Sequence, residues 1–269
     1  MKRLSGRVAI VSGASAGIGA ASATRLVAEG ARVVLADINI AAAEQVAEEL
    51  RKSGGDAVAR QFDLTDEDSI RALISWTVEH FGTLNILHNN AADTRIEQMS
   101  ADMAIADMAI ETWDRAFQTN TRGTMLMIKH AIAPMLNAGG GSIINTTSGA
   151  AVRGDVFNPA YAASKAAINC LTLYVATQYG RQRIRCNAVA PGLIITPTVQ
   201  AVLSTAQIQR IEQHVTLPSL GVAEDIAATV AFLASDDAGN ITGHVVPVDG
   251  GYAMHMPHVG EVLATGASQ

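Results

Sequence analysis

Short apolar runs alternate with longer amphipathic stretches along almost the whole chain. The apolar runs have the length and residue content of strands that are buried on both faces of a parallel sheet. We expect these strands at Arg7–Ser12, Arg32–Asp37, Ala57–Asp63, Leu84–Asn89, Ser142–Thr147, Arg185–Ala190 and His244–Val248. The stretches between them have a helical spacing of apolar residues, at Ile18–Glu29, Ile40–Ser53, Glu67–Phe81, Glu111–Asn137, Pro159–Gly180 and Ala223–Ser235. This alternation predicts an α/β fold, in which helices flank both faces of a doubly wound, seven-stranded parallel sheet.

The predicted sheet is of the Rossmann type, and no Pro-rich or Ser-rich linker interrupts it. We therefore expect one domain over residues 1–252, followed by a C-terminal tail over residues 253–269. A chain of 269 residues buries roughly three quarters of its unfolded surface, so it does not need a metal or a disulfide for stability.

Charge and cysteine content narrow the range of partners. The formal net charge is −6 and no basic block is present, which argues against nucleic-acid binding. No apolar run approaches the length of a transmembrane helix, so no membrane partner is expected. Cys170 and Cys186 form no Cys-x-x-Cys pair, which is typical of the reducing cytoplasm. Only 16% of the residues are charged, which indicates that part of the apolar surface is hidden between subunits.

The stretch Tyr161-Ala-Ala-Ser-Lys165 carries the strongest chemical signal. Tyr161 and Lys165 are four residues apart, so a helix places them on one face. An ammonium group one turn away stabilises the phenolate and would lower the tyrosine pKa from its usual value of about 10. Ser148 ends a predicted strand, and open α/β sheets bind their ligands at such strand ends. An amphipathic helix with an exposed lysine would explain the Tyr–Lys pair equally well, and the rest of the chain favours catalysis.

A glycine-rich segment joins the first predicted strand to the first predicted helix. Its sequence is Ser12-Gly13-Ala-Ser-Ala-Gly17-Ile-Gly19. Glycines let the backbone approach a pyrophosphate, whose charge is stabilised at the N-terminus of the following helix. Asp37 ends the second predicted strand, where a carboxylate can accept hydrogen bonds from the adenosine ribose of NAD. The alternative for the glycine-rich segment is a tight turn that binds no ligand. The alternative for Asp37 is an acidic residue at the strand end that caps the next helix.

Together these motifs resemble those of the short-chain dehydrogenase/reductase family, over about residues 3–252. Further motifs that resemble the family are Asn89-Asn-Ala-Ala92, whose last residue is glycine in the family, Asn120, and Pro191-Gly-Leu-Ile-Ile-Thr196. The catalytic residues implied by the resemblance are Asn120, Ser148, Tyr161 and Lys165. The implied cofactor-binding residues are Gly13, Ser15, Gly17, Ile18, Gly19, Asp37, Asp63, Leu64, Asn90, Tyr161, Lys165, Pro191, Gly192, Ile194 and Thr196.

The resemblance implies hydride transfer between a secondary alcohol, or its ketone, and a nicotinamide cofactor. Ser148 would stabilise the substrate oxygen, and Tyr161 would act as base in oxidation and as acid in reduction. Lys165 would lower the tyrosine pKa and hold the nicotinamide ribose. Asn120 would keep a water that completes the proton relay.

NAD is the expected cofactor and an apolar ring compound the expected substrate. Ala16 and Ile38 are neutral at positions where members that use NADP carry a base, and Asp37 would repel its phosphate. Candidate lining residues of the substrate pocket are nearly all apolar, namely Ala92, Thr94, Ala150, Val152, Phe157, Leu193 and Ile194. We therefore expect an apolar cyclic or aryl-bearing secondary alcohol or its ketone.

The same fold also serves non-redox lyases and cofactor-binding regulatory proteins, which are the alternative functions. The lyases carry bulky residues in place of the glycine loop, and the regulators usually lose the tyrosine or the lysine, whereas this chain retains all of them. Most family members are tetramers whose contact uses the helices that correspond to Glu111–Asn137 and Pro159–Gly180. A homotetramer is therefore expected.

Three further segments give weaker indications of their function. Ala101–Ile105 and Ala106–Ile110 both read Ala-Asp-Met-Ala-Ile. We expect a surface insertion there, either a lip on the substrate pocket or a loop duplication without function. Pro197–Val215 corresponds to the mobile substrate lid of the family. His255 and His258 in the tail have no evident third ligand beside them, so no metal site is expected.

Overall fold

The computed structural model describes residues 2–196, 199–200, 203–256 and 258–264. Its strands are β1 Val8–Ser12, β2 Arg32–Asp37, β3 Asp56–Gln61, β4 Ile86–Asn89, β5 Gly141–Thr146, β6 Ile184–Pro191, β7 Ile194–Ile195, β8 Gly221–Val222 and β9 Val245–Val248. Within the described ranges, seven of them form one parallel sheet in the order β3-β2-β1-β4-β5-β6-β9, and β7 pairs with β8. The predicted fold class is confirmed.

Burial along the strands explains why the sheet is parallel and covered on both faces. Strands β1 and β4, in the middle of the sheet, are buried at every residue, whereas the edge strand β3 alternates between buried and exposed positions. Successive side chains of β1 point to opposite faces, so Ala9 and Val11 belong to one core and Ile10 to the other. The alternating pattern of the sequence thus reflects two separate hydrophobic cores.

The helices are α1 Gly17–Ala28, α2 Ile40–Lys52, α3 Glu67–Phe81, α4 Ile96–Ala101, α5 Ile110–Ala116, α6 Gly123–Asn137, α7 Pro159–Tyr179, α8 Thr205–Glu212, α9 Ala223–Ala234 and α10 Val259–Ala264. Buried residues of α1, α2 and α9 contribute to the first core, and those of α3, α6 and α7 contribute to the second. Of the described helices, none combines the length and the apolar content needed to cross a membrane.

The predicted helix over Glu111–Asn137 is interrupted. A π-helical segment, Phe117–Arg122, separates α5 from α6. An apolar spacing does not reveal such a widened turn, which often occurs at functional sites. Helices α4, α8 and α10 were not predicted from the sequence. Part of the predicted lid Pro197–Val215 lies outside the described ranges, namely residues 197–198 and 201–202. The same holds for residues 257 and 265–269 of the tail.

The strand order reverses between β1 and β4, because the chain fills one side of the sheet before it crosses to the other. At such a point the connections leave the carboxyl ends of the strands in opposite directions and open a crevice. The residues that follow β1, β2, β4, β5 and β6 border this edge, and they include most of the predicted site.

Candidate active site

The glycine-rich segment after β1 forms a close backbone turn at the crevice. Gly13 and Gly17 have positive φ angles of 66° and 54°, which other residues rarely adopt. A Cβ atom on Gly19 would collide with the carbonyl oxygen of Gly13. The Ser12 hydroxyl accepts hydrogen bonds from the N–H groups of Asn90 (3.0 Å) and of the next residue (3.1 Å), and so ties the segment to the end of β4. This cradle fits a pyrophosphate at the N-terminus of α1.

Asp37 lies beside the glycine-rich segment and is 8% exposed. Its Oδ2 accepts a hydrogen bond from the N–H of Ser15 (3.0 Å), and its Oδ1 accepts one from the N–H of Asn39 (2.9 Å). Each carboxylate oxygen can accept more than one bond, so both can also receive a ribose hydroxyl. Asp37 therefore orders the glycine-rich segment and remains suited to bind a ribose.

Asn89 at the end of β4 and Asn90 directly after it have different surroundings. Asn90 donates from Nδ2 to the carbonyl of Gly13 (3.2 Å) and accepts at Oδ1 from Thr146 Oγ1 (3.3 Å), which brings β1, β4 and β5 together. Asn89 donates from Nδ2 to Asn145 Oδ1 (2.9 Å) inside the sheet. Ala92 is not among the residues with positive φ, so the alanine in place of glycine causes no backbone strain.

The segment after β6 approaches the glycine-rich turn from the other side. Pro191 ends β6, and a Cβ on Gly192 would lie 2.9 Å from the Cα of Asp249. Ile194 is buried, in β7. The Cγ2 of Thr196 lies 3.6 Å from the position that a Cβ on Gly17 would take. The segment thus encloses the space that a nicotinamide cofactor would occupy.

The remaining predicted cofactor residues lie further along the same edge. Asp63 Oδ1 accepts hydrogen bonds from the N–H (2.8 Å) and the hydroxyl (2.7 Å) of Thr65, so its side chain stabilises a turn. Leu64 is buried against Gly123 of α6. Ile18 packs against the first core. Their contacts to an adenine or a pyrophosphate stay predictions.

Helix α7 places Tyr161 and Lys165 one turn apart, as their spacing predicts. Lys165 is 2% exposed, and its Nζ donates a hydrogen bond to the carbonyl of Thr146 (2.9 Å). The same Nζ lies 5.7 Å from the centroid of the Tyr161 ring. Burial lowers the pKa of Lys165 to about 8, so the lysine can change its charge near neutral pH.

The pKa of Tyr161 is raised from its usual value, and the predicted lowering by Lys165 is wrong for this arrangement. Burial disfavours the charged phenolate and outweighs the hydrogen bond from Ser148, which lowers the pKa. Ser148 itself accepts a hydrogen bond from the N–H of Ala150 (3.2 Å). Ser148, which follows β5, and Tyr161 of α7 thus lie close to each other beyond the carboxyl end of the strand.

Asn120 lies in the π-helical segment, and its side chain is engaged at both ends. Its Oδ1 accepts from the N–H of Asp93 (3.0 Å), and its Nδ2 donates to Ser164 Oγ (3.0 Å). Ser164 in turn donates to the carbonyl of Tyr161 (2.7 Å). The binding of a relay water by Asn120 stays a prediction. The sequence analysis missed Ser164 although it lies inside the Tyr-x-x-x-Lys motif.

Asp93 is a second residue that the sequence analysis missed. Its buried carboxylate accepts hydrogen bonds from Arg95 (2.7 Å) and from Arg115 of α5 (2.7 Å). Burial raises its pKa, but the two arginines outweigh burial and hold the pKa at about 2. Its place directly after the Asn-Asn-Ala-Ala motif was the available signal. Asp93 stays ionised and fixes the loop that holds Asn120.

The loop between β5 and α7, on the substrate side, is exposed and carries apolar residues together with two charged ones, Arg153 and Asp155. Val152, Val156 and Phe157 are 67%, 75% and 52% exposed on the loop between β5 and α7. Met254 in the tail is also exposed. Among the residues described, no cluster of three His, Cys, Asp or Glu side chains could hold a metal ion.

Known proteins resemble this chain over nearly its full length. A family model described as enoyl-(acyl carrier protein) reductase matches residues 13–253. A probable short-chain type dehydrogenase/reductase of Bradyrhizobium diazoefficiens is 44% identical, over 96% of this chain and 91% of the relative. The 7α-hydroxysteroid dehydrogenase of Bacteroides fragilis is 39% identical, over 96% of this chain and 99% of the relative.

A solved structure has the same fold over the same length. It is a 7α-hydroxysteroid dehydrogenase in complex with NADH and 7-oxo glycochenodeoxycholic acid. The TM-score is 0.88 at 34% sequence identity, and the match covers 93% of this chain and 95% of that one.

Proposed function

Because this chain belongs to the short-chain dehydrogenase/reductase family, we propose that its crevice transfers a hydride between a ring-bearing secondary alcohol, or the matching ketone, and NAD. The chain is an oxidoreductase of the alcohol dehydrogenase/ketoreductase class. The observation that carries the proposal is the cluster beyond the end of β5, in which buried Lys165 lies one turn from Tyr161 and Ser148 is near enough to affect the tyrosine pKa.

The residues of this cluster have separate tasks. When bound, the nicotinamide supplies the hydride acceptor in oxidation and the hydride donor in reduction. In oxidation, Tyr161 takes the proton of the substrate hydroxyl, and Ser148 hydrogen-bonds the same oxygen as its charge changes. Lys165, which is buried one turn from Tyr161, binds the nicotinamide ribose. Asn120 holds Ser164 and keeps the relay water.

The glycine cradle and Asp37 support NAD as the cofactor. The cradle at Gly19 leaves no room for a side chain, as close approach of a pyrophosphate requires. Asp37 would repel a ribose phosphate, and the neighbouring Ile38 is 65% exposed and carries no compensating charge. The resemblance to a dehydrogenase solved with NADH agrees with this choice.

The entrance supports an apolar cyclic substrate. Val152, Val156 and Phe157 offer apolar surface to a ligand that enters between the loop and the tail, while Arg153 and Asp155 of the same loop are exposed to solvent. A related enzyme acts on the ring hydroxyl of a steroid. A ring compound with one hydroxyl near the nicotinamide fits such an entrance better than a sugar, which would need more polar partners.

We also propose a homotetramer of single-domain subunits, over residues 1–252 with a tail, in the cytoplasm. Exposed apolar residues of α6 and α7, such as Met125, Leu136 and Leu173, support contact between subunits through these helices. Cys170 and Cys186 are both free thiols, which agrees with a reducing compartment.

The proposal is tested by absorbance at 340 nm with NAD and a panel of secondary alcohols. The panel pairs cyclohexanol-type and steroid ring alcohols with open-chain alcohols of equal polarity. We expect NADH formation with ring alcohols at the higher kcat/KM. NADH formation from none of the alcohols, together with conversion of a substrate without redox change, would instead support a lyase.

A further inference from the structure

The catalytic helix α7 begins without a cap of its own. Its first flanking residue, Asn158, has a φ of +60°, and its side chain makes no capping hydrogen bond. Pro159 follows and has no N–H group. The first N–H groups that need an acceptor are therefore those of Ala160 and of Tyr161 itself.

Asp102 supplies this acceptor from the repeated segment, 58 and 59 positions away in sequence. Its Oδ1 accepts from the N–H of Ala160 (3.0 Å) and its Oδ2 accepts from the N–H of Tyr161 (2.8 Å). Its main-chain carbonyl accepts from the N–H of Asn158 (2.9 Å). Asp102 is only 1% exposed. One carboxylate thus replaces the missing cap, and charged caps of this kind form the stronger hydrogen bonds.

The second copy of the repeat has a different environment. Asp107, the counterpart of Asp102, lies in the short 3₁₀ turn Ile105–Asp107 and is exposed. Two identical five-residue sequences therefore place their aspartates in opposite surroundings. This difference provides an internal control, because the same chemical change can be made at both positions.

We propose that Asp102 is a positioning residue for Tyr161, and that the repeated segment serves the active site through this contact. The inference rests on the proposed function, in which Tyr161 exchanges the proton. Asp102 holds the N–H of Tyr161, while Ser164 donates to its carbonyl, so the main chain of the residue is fixed on both sides. Without Asp102, the first turn of α7 can rotate and move the phenol away from Ser148.

The test uses Asp102→Asn, Asp107→Asn and the double variant. Asparagine has the shape of aspartate but offers one acceptor oxygen instead of two, so one of the two bonds is lost. The double variant prevents the loop from shifting by five residues and presenting Asp107 in place of Asp102. NADH binding, followed by fluorescence, establishes that each variant is folded.

We expect Asp102→Asn and the double variant to lower kcat about 10- to 100-fold, since a displacement of about 1 Å costs up to about 100-fold. The Kd for NADH should change less than threefold in these two variants. Asp107→Asn should have the kcat and the Kd for NADH of the wild type. The limb of the kcat/KM profile that reports Tyr161 should move to higher pH, because loss of the Ser148 contact removes the interaction that lowers its pKa. A role in stability alone would not move this limb.

Hydrogen exchange tests the role of Asp102 without a substrate, so its result does not depend on the proposed function. The amides of Ala160 and Tyr161 should exchange faster in the Asp102→Asn and double variants than in the wild type and in Asp107→Asn, whether or not a substrate is known. Unchanged exchange at these amides, or a double variant with wild-type kcat and an unmoved pH profile, would overturn the role of Asp102.

Discussion

The cofactor side and the entrance of the crevice are built in different ways. On the cofactor side, the ends of β1, β2, β4 and β5 are joined by short hydrogen bonds between buried groups, as between Ser12 and Asn90 or between Lys165 and Thr146. At the entrance, the loop Val152–Phe157 and the tail residues Met254 and Met256 are exposed, and His255 contacts the main chain nearby. The sheet therefore fixes the reacting groups, and surface contacts shape the access of substrate.

This difference predicts which changes affect chemistry and which affect only access. A buried group at a strand end has neighbours that cannot adjust, so its removal should alter kcat or cofactor binding. A group at the entrance has solvent as an alternative partner, so its removal should alter KM or pH dependence by small factors.

The largest effect is expected for Tyr161→Phe, which removes the group that exchanges the proton. Turnover should fall roughly 1000-fold, within the range of general acid–base catalysis. Binding of NADH should stay within threefold of the wild type, because the hydroxyl acts on the substrate. The matched control is Tyr174→Phe on the same helix, whose ring is exposed. Near-normal turnover of Tyr161→Phe would refute its role as acid and base.

Lys165→Met should lower both turnover and NADH affinity, the latter about tenfold or more, because a charged hydrogen bond to the ribose is lost. The surface residue Lys129, changed in the same way, is the control. Unaltered NADH affinity in Lys165→Met would remove the ribose contact.

Burial of Lys165 should also make the free energy of unfolding depend on pH. Its folded pKa of about 8 lies below the unfolded value, so the unfolded chain binds more protons between about pH 8 and pH 10.5. The contribution of Lys165 to the free energy of unfolding should therefore rise with pH over this window. Urea unfolding at several pH values measures this rise, and Lys165→Met should lack it.

Cofactor choice should change by a smaller factor. The wild type should prefer NAD over NADP by about tenfold or more in kcat/KM, because Asp37 faces the ribose. Asp37→Ala combined with Ile38→Arg should shift the preference towards NADP. The double change also removes the acceptor for the N–H of Ser15, so some loss of NAD activity is expected as well. Equal use of both cofactors by the wild type would show that Asp37 is not the selector.

The smallest effect is expected at His255. Its Nε2 lies 2.6 Å from the carbonyl of His214 and its Nδ1 lies 2.9 Å from that of Met256, and only the protonated ring can donate to both. These carbonyls raise the pKa of His255, so the contact is complete at low pH and is lost as pH rises through that pKa. The tail should become more sensitive to proteases over this range, without a change in NADH binding. In His255→Asn, the tail should be as sensitive to proteases at low pH as the wild-type tail is at high pH.

The seven strands of the main sheet and most helices could be predicted from the sequence, because strands buried on both faces and amphipathic helices leave different apolar patterns. The short strands β7 and β8 were not predicted. The predicted strand bounds differ from the observed ones by at most two residues, as for Ile86–Asn89 against Leu84–Asn89. The π-helical segment could not be predicted, since the side chain of Asn120 is held there by Asp93 and Ser164 from other parts of the chain.

The positions of the candidate site residues in the fold could be predicted from the sequence, but their surroundings could not. Tyr161 and Lys165 lie as their spacing predicts, but the direction of the tyrosine pKa depends on burial, which is a property of the folded chain. Asp102 gave no local signal either, because the sequence shows two identical aspartates and only the tertiary structure buries one of them.

The central claim is that the crevice moves a hydride directly from the substrate carbon to NAD. A ring alcohol that turns over, carrying deuterium on the carbon that bears its hydroxyl, tests this in the wild type. After oxidation with NAD, mass spectrometry of the reduced cofactor should find one deuterium in each NADH and none released to water. Deuterium in the solvent, or product formed without reduced cofactor, would contradict hydride transfer and support a lyase reaction.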